Sequence, residues 1–289
     1  MSQSVWLVTG SSSGFGRAVT EAALAEGNSV IATLHTPTDL DDLATSTASS
    51  QLLIVKCDVT NKQDIRRMFE SGIEKFGHID IVFNNAGYGI LAEIESTPEE
   101  AARQLFDVNF WGAAAVSREA VRVFRDLNPR GLGGRLYNMS SGGGFLGLPA
   151  GGYYCASKFA LEGFTESLAR ELEPSWNIKI TLFEPGAFRT KAHKENAVTF
   201  PAIPAYENPN LPSQVMRRRF SEPEKSFRGD VHKAAAKILE FSGLEDPLPL
   251  HWVIGKSVIG GVCAKMQGFE QELCDFERWS DDLNFPDEQ

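Results

Sequence analysis

Short apolar runs alternate along the chain with longer segments whose apolar residues recur at helical spacing. Val5–Val8, Ser29–Leu34, Leu52–Val55, Ile79–Phe83, Arg135–Met139 and Ile178–Phe183 read as strands. Between them, Gly14–Glu26, Lys62–Phe76, Glu99–Asp126 and Lys158–Leu172 read as helices, and a last helix–strand pair follows at Val231–Phe241 and His251–Ile254. The strands are apolar nearly throughout, the pattern of a parallel sheet with helices on both faces. Strand–helix alternation over this length predicts one doubly wound α/β domain spanning residues 1–289. Residues 186–229 break the rhythm with five prolines and little strand character, which predicts a substrate lid. Residues 256–289 read as a C-terminal helical tail.

Composition narrows the class. Of 289 residues, 42% are hydrophobic and 23% charged, so the chain can build a core. The net charge of −10 argues against a nucleic-acid partner, which needs a basic face, and against anionic lipid. Residues 268–289 carry −7 of that charge, leaving −3 for the rest, so the acidity describes a solvated tail and not a cleft. No run approaches the roughly 20 apolar residues of a membrane span, and the N-terminus does not read as a secretory signal. A cytoplasmic location is expected. Cys57, Cys155, Cys263 and Cys274 lack metal-ligand spacing and read as buried small hydrophobes; no metal is expected.

Chemistry begins where the first strand ends, in Thr9-Gly10-Ser11-Ser12-Ser13-Gly14-Phe15-Gly16. Glycines allow a tight turn and close approach to a pyrophosphate, while the helix that follows aims free N–H groups at the anion. Three glycines alone also suit an ordinary strand–helix turn; their place directly after the first strand favours a nucleotide. An acid at the end of the second strand would select NAD by accepting from a ribose 2′-hydroxyl. That position holds Leu34, and His35, Thr33 and Thr36 can donate to a 2′-phosphate, so NADP is expected over NAD.

Tyr154 and Lys158 stand four residues apart, on one helix face. A phenol of ordinary pKa near 10 is a poor base at neutral pH, and a neighbouring ammonium favours its ionised form. Ser141 ends the strand Leu136–Met139, Asn84-Asn85-Ala86-Gly87 ends another, and Asn109 lies in the long helix between them. Taken in order with Asp58, Pro185-Gly186 and Thr190, these elements resemble the short-chain dehydrogenase/reductase family over about residues 5–190. The segment from Tyr154 to Gly163 looks like its hydroxysteroid and retinol dehydrogenase-like members.

That resemblance implies a Rossmann-like fold and hydride transfer between a nicotinamide and an alcohol or ketone. Tyr154 would be the general acid/base, and Ser141 would hydrogen-bond the substrate oxygen. Lys158 would bind the nicotinamide ribose and lower the tyrosine pKa, and Asn109 would position a water that relays protons. The cofactor would contact Gly10, Ser12, Ser13, Gly14, Phe15, Gly16, His35, Asp58, Val59, Asn85, Ala86, Gly87, Pro185, Gly186, Phe188 and Thr190. Ser157 reads as structural. Phe145, Leu146, Leu148, Tyr88 and Phe188 suit a hydrophobic alcohol or ketone, and equally suit packing. Arg217-Arg218-Arg219 reads as a solvated helix face. Apolar faces formed by Ala113, Val116, Ala120 and Val121 and by Phe159, Phe164 and Leu168 suggest, through the resemblance, a homodimer or homotetramer. A silent NADP-binding sensor or scaffold and a nicotinamide-dependent epimerase or dehydratase are the competing functions.

Overall fold

The computed structural model describes residues 3–190, 197–245 and 247–285. In chain order the elements are β1 (Val5–Thr9), α1 (Gly14–Ala25), β2 (Ser29–Leu34), α2 (Asp41–Ser46), β3 (Leu52–Lys56), α3 (Lys62–Phe76), β4 (Ile81–Asn84) and β5 (Gly89–Leu91). They continue with α4 (Glu99–Phe106), a π-helical turn at Asp107–Gly112, α5 (Ala113–Asp126), β6 (Gly134–Met139), α6 (Gly152–Glu171) and β7 (Ile178–Pro185). After them come β8 (Phe188–Arg189), β9 (Ala197–Thr199), α7 (Pro212–Ser221), α8 (Pro223–Ser226), β10 (Gly229–Asp230), α9 (Val231–Ser242), β11 (His251–Ile254) and α10 (Lys256–Phe276).

Seven strands form one parallel sheet in the order β11-β7-β6-β4-β1-β2-β3. Alternate side chains of each strand feed two cores, which is why the strands are largely apolar and largely buried on both faces. Trp6, Val8, Val30 and Ala32 pack with Ala18 and Val19 of α1 and Ala235 and Ile238 of α9. Val5, Leu7 and Ile31 face the other way, onto Ile65 and Met68 of α3 and Val116 and Ala120 of α5. Local signals end the helices: Asn61 Oδ1 accepts from Gln63 N at the start of α3, and Gly77 closes it at φ +81°. The strand order reverses between β1 and β4. Ligands of open α/β sheets bind at such a point, beyond the strands' C-terminal ends.

Several expectations change. Residues 186–229 are more ordered than their prolines suggest: they contain α7, α8 and three short strands, because proline is tolerated in a helix's first turn. Residues 191–196 lie outside the described residues. Cys57 and Cys155 are buried, with burial pushing the Cys57 thiol up to about 12, but Cys263 and Cys274 are exposed on α10. Ala113, Val116, Ala120 and Val121 are buried within their own chain and cannot form a subunit face, whereas Phe159 and Trp111 are 40% and 62% exposed. The tail is not a plain acidic surface: Met266, Phe269, Leu273 and Phe276 form an exposed apolar stripe at spacings of three and four along α10. Asp287 and Glu288 lie outside the described residues.

Candidate active site

The glycine turn is shaped by contacts that no larger residue could make. Gly10 and Gly14 have φ of +70° and +58°, and a Cβ on Gly16 would stand 2.2 Å from the Gly10 carbonyl oxygen. Thr9 fixes the neighbouring loop: its hydroxyl accepts from the backbone N–H groups of Asn85 (2.8 Å) and Ala86 (2.9 Å). Asn85 Nδ2 returns a bond to the Thr9 carbonyl at 2.9 Å. Ser13 precedes α1 without capping it through its side chain. The helix start, its amides and its positive dipole end therefore face the crevice.

Residues distant in sequence close around this cradle. A Cβ on Gly14 would lie 3.6 Å from Thr190, and the Phe15 and Phe188 rings meet edge to face at 5.2 Å. Pro185 and Gly186 end β7 at the same edge of the sheet. Asp58, with Val59 buried beside it, follows β3; Asp58 Oδ1 accepts from Thr60 N and Oγ1. Against burial, which raises it, the two Thr60 hydrogen bonds hold the Asp58 carboxyl below its ordinary range, and His35, exposed just beyond β2, adds a smaller pull in the same direction. Arg17, one residue past the turn, is taken up by Glu21 at 2.6 Å and by Asp42.

Tyr154 and Lys158 lie one turn apart on α6. Lys158 Nζ is 6.0 Å from the Tyr154 ring centre and donates to the Met139 carbonyl at 2.8 Å. Ser141 caps the short 3₁₀ turn that follows β6 by accepting from Gly143 N at 3.0 Å, and its hydroxyl also hydrogen-bonds the Tyr154 phenol. Asn109 lies in the π-helical turn, a local widening that places it opposite α6. Its Oδ1 accepts from Tyr88 N (3.0 Å), while Nδ2 donates to Tyr88 O (2.9 Å) and Ser157 Oγ (3.2 Å). Ser157 passes the link on to the Tyr154 carbonyl at 2.7 Å, which makes it structural. A Cβ on Gly87 would meet Asn109 Oδ1 at 3.0 Å and Lys158 Nζ at 3.7 Å, so all three groups border one space.

The electrostatics depart from expectation. Burial pushes the Tyr154 phenol up; the Ser141 hydrogen bond opposes this but is the smaller effect. Burial also brings the Lys158 ammonium down to about 8. Its ammonium points at a carbonyl and not at the phenol oxygen, and it is itself desolvated, so it does not lower the tyrosine pKa here. Tyr154 is thus a protonated acid at neutral pH.

Sequence reasoning missed the element beside the site. Glu93, whose side chain is 2% exposed, receives Arg217 Nε (3.0 Å) and Nη2 (2.5 Å), so Arg217 is not part of a solvated face; Arg218 and Arg219 are exposed. This pair holds the Glu93 carboxyl down to about 2. Around it, β9 pairs with β5, Tyr206 Oη donates to Glu95 at 2.6 Å, and Ile203 N donates to Ser96 at 3.3 Å. The 197–227 segment is thereby fastened to residues 89–96, beside Tyr154. Tyr88, Tyr153, Tyr154 and Phe200 pack there around Ile90, Ala92 and Leu105. Phe145 instead packs on His251 at 5.5 Å, a Cβ on Gly261 of α10 would meet Leu146 at 2.9 Å, and Leu148 is 37% exposed.

Comparison with known proteins gives a consistent family. A family model described as short chain dehydrogenase matches residues 4–199. An uncharacterized oxidoreductase of Schizosaccharomyces pombe is 35% identical over 267 residues, 92% of this chain and 87% of its own. A 3-ketodihydrosphingosine reductase of Bacteroides thetaiotaomicron is 35% identical over 190 residues, 66% of each chain. Among solved structures, a short-chain dehydrogenase from Streptomyces avermitilis superposes with a TM-score of 0.86 at 34% identity, covering 98% of this chain and 100% of its own. A short-chain dehydrogenase/reductase from Burkholderia phymatum in complex with NAD gives 0.78 at 22% identity over 93% and 95% of the two chains, a likeness of fold.

Proposed function

The chain belongs to the short-chain dehydrogenase family and is an oxidoreductase; on that premise we propose that it reduces a hydrophobic ketone with NADPH, using Tyr154 as the proton donor. The observation that carries this reading is the convergence of Ser141, Tyr154, Lys158 and Asn109 from three separate elements on one space beside a glycine cradle. The cradle fits a dinucleotide: a Cβ on Gly16 would close it, and the start of α1 offers its amides to a pyrophosphate. When bound, the nicotinamide supplies or accepts the hydride. Leu34 and His35 at the end of β2 favour NADP over NAD, since no carboxylate there repels a 2′-phosphate.

The residues divide the remaining work. Ser141 Oγ and the Tyr154 phenol converge, so a carbonyl oxygen placed between them accepts two hydrogen bonds. Such donors are worth most where negative charge develops on that oxygen. Tyr154, kept neutral by burial, delivers its proton to it. Lys158 holds a ribose and stands ready to replace that proton. Asn109 orients the Tyr88 backbone and, through Ser157, braces α6; both Nδ2 hydrogens are used in these bonds, while Oδ1 accepts one and keeps an acceptor site beside Gly87 for a relayed water. Phe200, Tyr88 and Tyr153 make an apolar wall beside the phenol. That wall suits a bulky lipid-like ketone, the class the Bacteroides relative's name describes for that protein.

A subunit face at Trp111 and Phe159, a dimer or tetramer built on it, and a cytoplasmic location complete the proposal. No described helix is long and apolar enough to cross a membrane. The test is NADPH oxidation across a panel of hydrophobic ketones, with Tyr154→Phe alongside. We expect turnover on some members, at least 1,000-fold loss in the variant, and unchanged NADPH binding. Turnover surviving in Tyr154→Phe would sink the mechanism; NADPH binding without turnover on any ketone would favour a sensor.

A further inference from the structure

Behind the Ser141 turn lies a second constellation that the proposed chemistry does not use. Glu162 stands one turn beyond Lys158 on α6, Glu184 lies near the end of β7, and His251 begins β11. His251 Nδ1 is 2.7 Å from Glu184 Oε1 and 3.6 Å from Glu162 Oε2, and one ligand atom from each residue fits within a span of 4.8 Å. We propose that Glu162, Glu184 and His251 bind one divalent transition-metal ion, with Ser140 beside it.

Charge balance is the first support. Glu184 is fully buried and Glu162 is 5% exposed; no lysine or arginine among the described residues forms an ion pair within 4 Å of either, although the buried Lys158 ammonium interacts with Glu162 from one turn earlier on α6. Two such carboxylates, when ionised, favour a cation between them, because an uncompensated buried charge is costly. The second support is independent of charge. Ser140 Oγ is 2% exposed and completes no hydrogen bond of good geometry, as is true of both Glu162 oxygens and Glu184 Oε2. Ser140 Oγ and Glu162 Oε1 both lie 2.7 Å from where a Cβ on Gly144 would stand, so a glycine keeps this pocket open.

The donor set points to the ion's class. One imidazole and two carboxylates suit Zn²⁺ or Mn²⁺ better than Mg²⁺ or Ca²⁺, which take oxygen ligands. Ligands at about 2.0–2.1 Å around a tetrahedral ion lie roughly 3.3 Å apart, between the observed 2.7 and 3.6 Å. Binding replaces a proton on Nδ1. The other ring nitrogen, Nε2, lies 3.8 Å from Glu166 Oε1, beyond hydrogen-bond distance but near enough for that carboxylate to close onto it as an outer partner of a ligating histidine. His251 and Glu166 are partly exposed, which gives an entry route. Such an ion would tie α6 to β7 and β11 directly behind the turn carrying Ser141.

The test uses full-length protein stripped with chelator, incubated separately with Zn²⁺ and Mn²⁺, desalted, and measured for bound metal and thermal midpoint. We expect about one ion per chain and a raised midpoint for at least one metal. Both are lost in Glu184→Gln and in His251→Ala, and affinity falls roughly tenfold in Glu166→Gln. The double variant Cys263→Ser/Cys274→Ser must retain the ion, since the exposed thiols are the competing ligands. Absence of uptake, uptake indifferent to Glu184→Gln and His251→Ala, or uptake lost with the thiols would overturn the proposal.

Discussion

Replacing Arg217 with methionine removes the charge that compensates Glu93 while keeping most of the side chain's apolar stem. In the structure Glu93 is lowered from 4.5 to about 2 by this partner. At 1.36 kcal/mol per unit, that is an upper bound of about 3 kcal/mol of stabilisation at pH 7. Arg217 is 19% exposed and the pair sits just beneath the surface, so about 2 kcal/mol is the working figure. Spent on attachment of the 197–227 segment, 2 kcal/mol corresponds to roughly thirtyfold more opening. Limited proteolysis at pH 7 reads this directly: cleavage within that segment should accelerate about thirtyfold while global unfolding shifts less. The acid dependence has a definite sign. A depressed carboxylate stabilises above its unfolded value near 4.5 and stops doing so as pH falls toward 2. Wild-type protein should therefore become cleavable by an acid protease across that window, and Arg217→Met should already be so at pH 7. Adding Glu93→Gln to Arg217→Met should restore much of the protection, because no bare carboxylate is left behind. Equal cleavage rates in wild type and Arg217→Met, or no rescue by the second change, would refute the argument.

Other outcomes follow from the site. Gly16→Ala puts a methyl 2.2 Å from the Gly10 oxygen, so NADPH affinity measured by fluorescence should fall more than tenfold, and an unchanged affinity would contradict the cradle geometry. Lys158→Met should abolish turnover yet stabilise the protein at pH 7 by up to about 3 kcal/mol, since a buried ammonium lowered to about 8 costs stability. The penalty is full below pH 8 and vanishes above the unfolded value near 10.5, so wild type and variant should converge in denaturant melts at high pH.

The fold was legible because a parallel sheet buried on both faces leaves a clear trace: short runs of three or four consecutive apolar residues, as in β1 and β2, whose five and six positions are all buried, separated by helical periods. The residues proposed for the chemistry could be picked out because they sit at fixed offsets from strand ends and one helical turn apart. Cross-element compensation was not legible. Nothing local in Arg217-Arg218-Arg219 says that only the first arginine meets a carboxylate 124 positions earlier. The pKa of Tyr154 depends on how deeply α6 is seated, which spacing does not encode. Glu184 did leave a trace, an acid inside the apolar run Ile180-Thr181-Leu182-Phe183 and its continuation, but one charge in a strand does not name its partner. The exposed stripe on α10 was hidden by the acids interleaved with it.

The π-helical turn at Asp107–Gly112 sets how this protein can change in length. A π turn is one residue more than an α turn, inserted without altering the faces that the flanking helices present. Removing a single residue there would restore an unbroken α-helix: Leu105 would still point into its cluster and Val116 and Ala120 into theirs, so folding would survive. Only Asn109 would lose the offset that brings it to the Tyr88 backbone and Ser157. A one-residue deletion anywhere else in the same helix would instead rotate one half by about 100° and expose its core face. In descendants of this chain, a gap at the turn is therefore the length change by which an intact fold could part with its chemistry.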